Sequence, residues 1–123
     1  MAYLTDRKRV SGMGSAKSGT AHHWSMTLTS VALLILVPLF IFTFGSMLGQ
    51  PYDVVSSYFA RPFPAIVAAL TITVGFVHFK NGVRVLIEDY VHGTMREVLI
   101  IATTLLSYAA IATGLFAIGR IAL

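Results

Sequence analysis

The chain has 123 residues and no cysteine. That absence excludes disulfides, thiol catalysis and iron–sulfur ligation by this chain. Charge is nearly as scarce: Asp, Glu, Lys and Arg make up 11% of the residues, against 56% hydrophobic residues and a mean hydropathy of +0.79. A water-soluble domain of this length cannot hide so much apolar surface, so the chain belongs in a membrane. No nucleophile–base set, glycine-rich phosphate loop or carboxylate pair spaced for hydrolysis occurs. The net charge of +4 comes without a basic stripe interleaved with aromatics, which excludes nucleic acid as a partner. The lysines and arginines read instead as residues that hold the ends of spans in a lipid bilayer.

What is present is three apolar runs. The first, 25–44, is free of charge, and 20 helical residues cover about 30 Å, one bilayer crossing. Pro38 inside it predicts a kink, because abandoning helical hydrogen bonds in lipid costs more than bending. Trp24, preceded by His22 and His23, stands where an interfacial anchor belongs. Residues 1–19 carry Arg7, Lys8, Arg9 and Lys17 against Asp6 alone. The following run is too long for a signal peptide, which predicts an uncleaved cytoplasmic tail; a mitochondrial transit peptide is the weaker alternative.

Residues 45–64 contain Gly49, Pro51, Pro62 and Pro64 and form the first loop, with a short surface helix at 53–60 carrying aromatics into the headgroups. A second turn covers 89–96, where Thr94 and Glu97 have the spacing of a capping box and Gly93 reads as a stop for the helix before it. The expectation is an all-α protein: a cytoplasmic tail at 1–24 and a three-span anchor domain at 25–123. Its antiparallel, up-down-up spans lie at about 25–44, 65–88 and 97–119. Lys80, Arg84 and Arg96 join the basic tail on one side, against Arg61 and Arg120 on the other. That asymmetry puts the N-terminus in the cytoplasm and the C-terminus outside.

The chemistry concentrates at the end of the second run. On a helix, Thr71, Gly75, His78, Gly82, Val85 and Asp89 share one face, while Lys80, Arg84 and Glu88 point the other way. His78 lies about 21 Å from Pro64 and about 16 Å from Asp89, well inside the hydrocarbon, where an unpartnered imidazole is costly. Two readings stand: a hydrogen bond to a Ser or Thr of a neighbouring helix, or axial ligation of haem iron, with Gly75 and Gly82 letting a porphyrin edge approach the backbone. A six-coordinate haem needs a second ligand, and His22, His23 and His92 all lie at the cytoplasmic ends. The second ligand then comes from a partner subunit or a second copy of this chain; Met26 and Met47 read as packing residues.

Asp89 and Tyr90, at the cytoplasmic end of the second span, form an ordinary interfacial helix end or a quinone pocket. In the second case the phenol donates to a carbonyl oxygen and the carboxylate holds a proton. Lys80 and Arg84 snorkel, with Glu88 paired to Arg84, or one of them, or His22 or His23, supports a haem propionate.

The spacing from His78 to Gly82 to Asp89-Tyr90, at the end of the second of three spans, resembles the small hydrophobic membrane anchor of succinate dehydrogenase. The lead-in Gly14-Ser15-Ala16-Lys17-Ser18-Gly19-Thr20 before His22-His23-Trp24 is similar to that of α-proteobacterial members, and the likeness covers nearly the whole chain. The resemblance implies pairing with a second three-helix anchor subunit, a cytochrome b, with one haem b between them held by a histidine from each. A flavoprotein and an iron–sulfur subunit would dock on the cytoplasmic side of the bacterial inner membrane, with ubiquinone as substrate in the respiratory chain and tricarboxylic acid cycle. On that likeness His78 becomes the axial ligand and Tyr90 the quinone donor, with Asp89 beside it. Many relatives carry an arginine soon after the tryptophan, but Ser25-Met26-Thr27-Leu28 has none, leaving Lys80, Arg84 or the His22-His23 pair as substitutes. Three rivals remain: a fumarate reductase anchor, a homodimeric b-type cytochrome with two copies of His78 on one iron, and an accessory protein without cofactor.

Overall fold

The computed structural model describes residues 3–15 and 18–123; Ala16 and Lys17 of the basic tail lie outside the described residues. Among the described residues five helices follow one another: α1 (Asp6–Ser11), α2 (Gly19–Gly45), α3 (Tyr52–Phe59), α4 (Pro62–Tyr90) and α5 (Thr94–Ala122). α2, α4 and α5 have the length and apolarity to cross a membrane, which makes the protein a multi-pass membrane protein with the expected three spans. Each runs past its predicted bounds, and the boundary drawn between residues 24 and 25 falls inside α2. The polar flanks remain helical because in lipid and at its surface the intrahelical bond is the cheapest partner for each backbone group.

α4 is the central helix. It packs against α2 on one side and α5 on the other, while α2 and α5 do not approach each other. Four of the five buried apolar side chains among the described residues, Ala65, Val67, Ala68 and Ile87, therefore belong to α4. Two of them are alanines, which let the neighbouring helices come close. Most of the large apolar side chains of α2 and α5 face outward, among them Leu34, Phe42, Leu106 and Phe116. In water such a surface would collapse, but in lipid it is solvated.

Local chemistry explains the joints. α2 continues through Pro38 without interruption and ends at Gly45, after which Gly49, at φ 79°, turns the chain toward Pro51. α4 opens three residues earlier than predicted because Pro62 and Pro64 occupy its first turn, where a missing N–H costs nothing. The short helix expected at 53–60 forms as α3, but its aromatics divide. Tyr52 is exposed, whereas Phe59 is buried with its ring centroid 6.4 Å from that of Phe44. Phe44 in turn stacks on Phe40 at 5.2 Å. α3 thus packs against the end of the spans where α2 finishes and α4 begins instead of only lying on the surface.

The second turn differs from expectation. Thr94 and Glu97 form no capping box: Thr94 is already helical, no side chain caps α5, and Glu97 lies 3.5 Å from Arg96. Gly93 is the cap itself, at φ 68°, a conformation that favours glycine. α4 ends instead at Val91, in extended conformation, whose N–H donates to Ile87.

α5 comes close to α4 at Gly114, where a Cβ would stand 3.0 Å from Ile72 Cγ2 and 3.2 Å from its Cδ1. Gly114→Leu is expected to destabilise the helix pair by about 1–3 kcal/mol. Adding Ile72→Ala should recover part of the loss, a coupling of ~0.5 kcal/mol or more. Thermal unfolding of the four proteins in detergent measures the cycle, and strictly additive effects would count against this packing.

Candidate functional site

The residues singled out on α4 are distributed over three surroundings. His78 faces α2, where its Nδ1 lies 2.9 Å from Thr29 Oγ1. The Thr29 hydroxyl also lies 2.8 Å from the carbonyl oxygen of Ser25 and 3.0 Å from that of Met26. One turn toward the C-terminal end of α4, Asn81 Nδ2 donates to Ser25 Oγ at 3.0 Å, and Asn81 is buried. The pattern is a two-rung polar seam. Ser25 and Thr29 are four apart on α2, and His78 and Asn81 are three apart on α4, so both pairs meet across antiparallel helices.

The hydrogen bond of His78 to a neighbouring threonine therefore exists, but it engages only one ring nitrogen. Nε2 has no hydrogen-bond partner among the described residues, and this chain does not fully enclose it. Both readings of His78 are compatible: one nitrogen ties the ring to α2 and the other is available to a ligand. Among the described residues no group of three or more His, Cys, Asp or Glu side chains converges on one point. Haem does not require such a cage, since the porphyrin supplies four donors and the protein only the axial ones.

The two glycines differ. Gly75 lines an open apolar groove of about 310 Å³ together with Phe40, Thr71, Ile72, Phe76 and Phe79, and an added Cβ there would meet nothing within 4 Å. A bare backbone beside an aromatic-lined groove, one turn from His78, fits a flat, bulky ligand. Gly82 lies in the helix seam instead, where a Cβ would come 3.9 Å from the Met26 methyl.

The charged residues are drawn away from His78. Lys80 reaches α5, its Nζ 3.4 Å from the Tyr108 hydroxyl and 5.3 Å from the centre of that ring. Arg84 and Glu88 form the expected ion pair at 2.9 Å, one turn apart. They line a cleft of about 320 Å³ with Ser18, Gly19 and His22 at the start of α2. His22 Nε2 is buried there without a hydrogen-bond partner, while His23 is exposed. Of the four substitutes expected for the absent arginine, the fold thus brings His22 and Arg84 together and separates Lys80 and His23 from them. Asp89 and Tyr90 both project from the end of α4, Tyr90 with 79% of its surface exposed. Neither has a side-chain partner within the described residues, so any pocket they line is completed from outside.

Thr29, Ser25 and Asn81 were not among the sequence candidates. Hydroxyl residues are common in apolar spans, and only the antiparallel register puts these opposite His78. The signal available was the i, i+4 pair on the first run and an amide three residues after the histidine.

The family of succinate dehydrogenase/fumarate reductase transmembrane subunits matches residues 1–117. A succinate dehydrogenase hydrophobic membrane anchor subunit of Paracoccus denitrificans is 43% identical over 123 residues, covering 100% of this chain and 95% of that protein. The subunit of the same name from Rickettsia typhi is 31% identical over 106 residues, 85% of this chain and 84% of its own. A succinate dehydrogenase membrane anchor subunit of Reclinomonas americana is 29% identical over 86 residues, 68% and 72% of the two chains. No solved structure matches.

The seam makes a stability prediction independent of any ligand. Asn81→Ala and Ser25→Ala should each loosen α2 against α4 by about 0.6–2 kcal/mol, and the double variant should cost little more than either alone. Unfolding in detergent tests this, and fully additive losses would refute the bond between them.

Proposed function

The chain belongs to the succinate dehydrogenase/fumarate reductase transmembrane subunits, and from that premise we propose that it is the hydrophobic anchor of a succinate:ubiquinone oxidoreductase, supplying one axial ligand to haem b and part of the quinone site. The observation that carries the haem assignment is His78. It is the only histidine of the chain at mid-membrane depth, and it has one nitrogen tied to α2 and the other free. Three helices of which the outer two pack only on the central one are too few to enclose a porphyrin. The opposite wall and the second axial residue come from a second anchor subunit. When bound, haem supplies a one-electron reservoir.

The chain's own contribution is placement. His78 offers Nε2, three residues along α4 from Gly75, which lines the groove. The cleft of His22 and Arg84 provides positive charge and an unpartnered ring nitrogen at the cytoplasmic edge, suited to a propionate. Tyr90, projecting from the end of α4, donates its phenolic proton as a hydrogen bond to a quinone carbonyl oxygen. Quinone reduction to quinol takes two electrons and two protons, and Asp89 holds a proton next to that oxygen. The electrons arrive from an iron–sulfur subunit fed by a flavoprotein, both docked on the cytoplasmic face. Nothing in this chain resembles a flavin or succinate site, so its share of the reaction is at the quinone end. The basic tail and the Arg84–Arg96 end lie inside, in the bacterial inner membrane, and Leu123 outside. A second reading is the fumarate reductase anchor, which the family description also covers; it uses the same residues with electron flow reversed.

In membranes expressing the full complex, His78→Ala is expected to abolish the dithionite-reduced haem b band while the subunits still co-purify. A band unchanged by this substitution removes the ligand assignment, and a particle containing two copies of this chain and no unlike subunits favours a homodimeric cytochrome. Tyr90→Phe should leave haem content and assembly intact and lower succinate:quinone turnover about ten-fold, the loss of a hydrogen bond of ~1.4 kcal/mol. Unaltered turnover with quinone would count against the pocket.

A further inference from the structure

We infer that Thr29 is a positioning residue for His78: it accepts the Nδ1 proton and thereby leaves Nε2 as the nitrogen with the free lone pair. The inference rests on the haem reading above and adds a residue, on a different helix, that sets which ring nitrogen can ligate.

The argument is proton accounting. A threonine hydroxyl has one proton, and two acceptors of its own helix compete for it, the Ser25 carbonyl at 2.8 Å and the Met26 carbonyl at 3.0 Å. With that proton directed along α2, the oxygen presents a lone pair to His78 Nδ1 at 2.9 Å. A lone pair attracts a donor, so Nδ1 carries the hydrogen. In the neutral ring the lone pair is then on Nε2. The reverse assignment would give up both carbonyl contacts and put the hydrogen on Nε2, the nitrogen that has no acceptor among the described residues.

Two further features hold the arrangement. Thr29 is β-branched and its hydroxyl is already engaged by its own backbone, so the acceptor is rigid. The neighbouring rung, Asn81 to Ser25, keeps α2 and α4 in register, so that Thr29 stays opposite His78. A histidine that donates its second nitrogen to a fixed acceptor is oriented and made more basic as a ligand, and loss of such a partner typically costs about 10–100-fold in metal affinity.

The experiment uses the complex purified through this chain, with haem content per particle, haem transfer to an excess of apomyoglobin, the haem midpoint potential and the low-field electron paramagnetic resonance signal as readouts. Thr29→Val, which keeps the branched shape and removes the acceptor, should lower haem affinity by about 10–100-fold. It should also raise the potential, because a less basic imidazole stabilises ferric iron less. Thr29→Ser should behave as wild type. Ser25→Ala, which weakens the adjacent rung but keeps the Thr29 acceptor, should cost stability while shifting potential and resonance signal much less than Thr29→Val. If Thr29→Val does not assemble, Thr29→Ala is read by the same criteria.

Wild-type affinity and potential in an assembled variant lacking the hydroxyl would overturn the inference while leaving the haem reading intact. The same would follow if Ser25→Ala reproduced the effect, since helix register and not the hydroxyl would then be responsible. A wild-type complex without haem b, or His78→Ala with its spectrum retained, would instead sink the haem reading and this inference with it.

Discussion

A polar side chain in hydrocarbon has no water to turn to, and the contact between α2 and α4 is organised by that constraint. Four polar residues within two helical turns meet as Thr29 with His78 and Ser25 with Asn81. Apolar packing between helices is weakly directional in lipid, because the tails solvate a leucine as well as another helix does. The seam therefore supplies what packing alone lacks, a single register. A slip of one residue would leave an imidazole and an amide facing hydrocarbon, at a cost of several kcal/mol for each unsatisfied group.

The same helix carries the seam on one side and α5 on the other, and its position between the two decides which residues are left for partners. Close approach to α5 depends on Gly114 against Ile72, and the α5 flank also takes Lys80, through the Tyr108 ring and hydroxyl. On α4 the stretch around Gly75 lines an open groove and Asp89 and Tyr90 are exposed at the tip, alongside exposed apolar residues such as Ile66 and Leu86. The groove at Gly75 is apolar and the tip at Asp89 and Tyr90 is polar, so the two stretches of α4 offer different surfaces. α2 and α5 each pack on α4 and leave most of their large apolar side chains exposed. Such a subunit is built to be completed by another polypeptide, in keeping with its family.

The start of α2, beside the end of α4, shows how geometry separates residues that look equivalent along the chain. His22 and His23 are adjacent, yet one lines the cleft with Arg84 and Glu88 and the other faces outward. Successive residues on a helix differ by about 100°, so a pair of histidines offers one to each surrounding. Arg84 is held by Glu88 and Lys80 by Tyr108, four and twenty-eight residues away respectively. Only the first partnership is local enough to anticipate.

Composition and periodicity alone determined the class of this protein: three long apolar runs with short polar joints must be membrane spans, because no other arrangement satisfies their backbones. They also placed His78 at depth and Tyr90 at an interface, since about 1.5 Å per residue converts position in a run into height in a bilayer. The tertiary structure alone decided what stands beside them. That Thr29 is the residue opposite His78, that Gly82 faces Met26 of α2 while Gly75 lines an open groove, and that Gly93 caps α5 where Thr94 and Glu97 were expected to, all depend on how helices far apart in sequence rotate and slide against one another. Helical spacing gives the faces of one helix, but the pairing of faces follows from satisfying every buried polar group at once, a condition imposed on the assembled helices and not on any one of them.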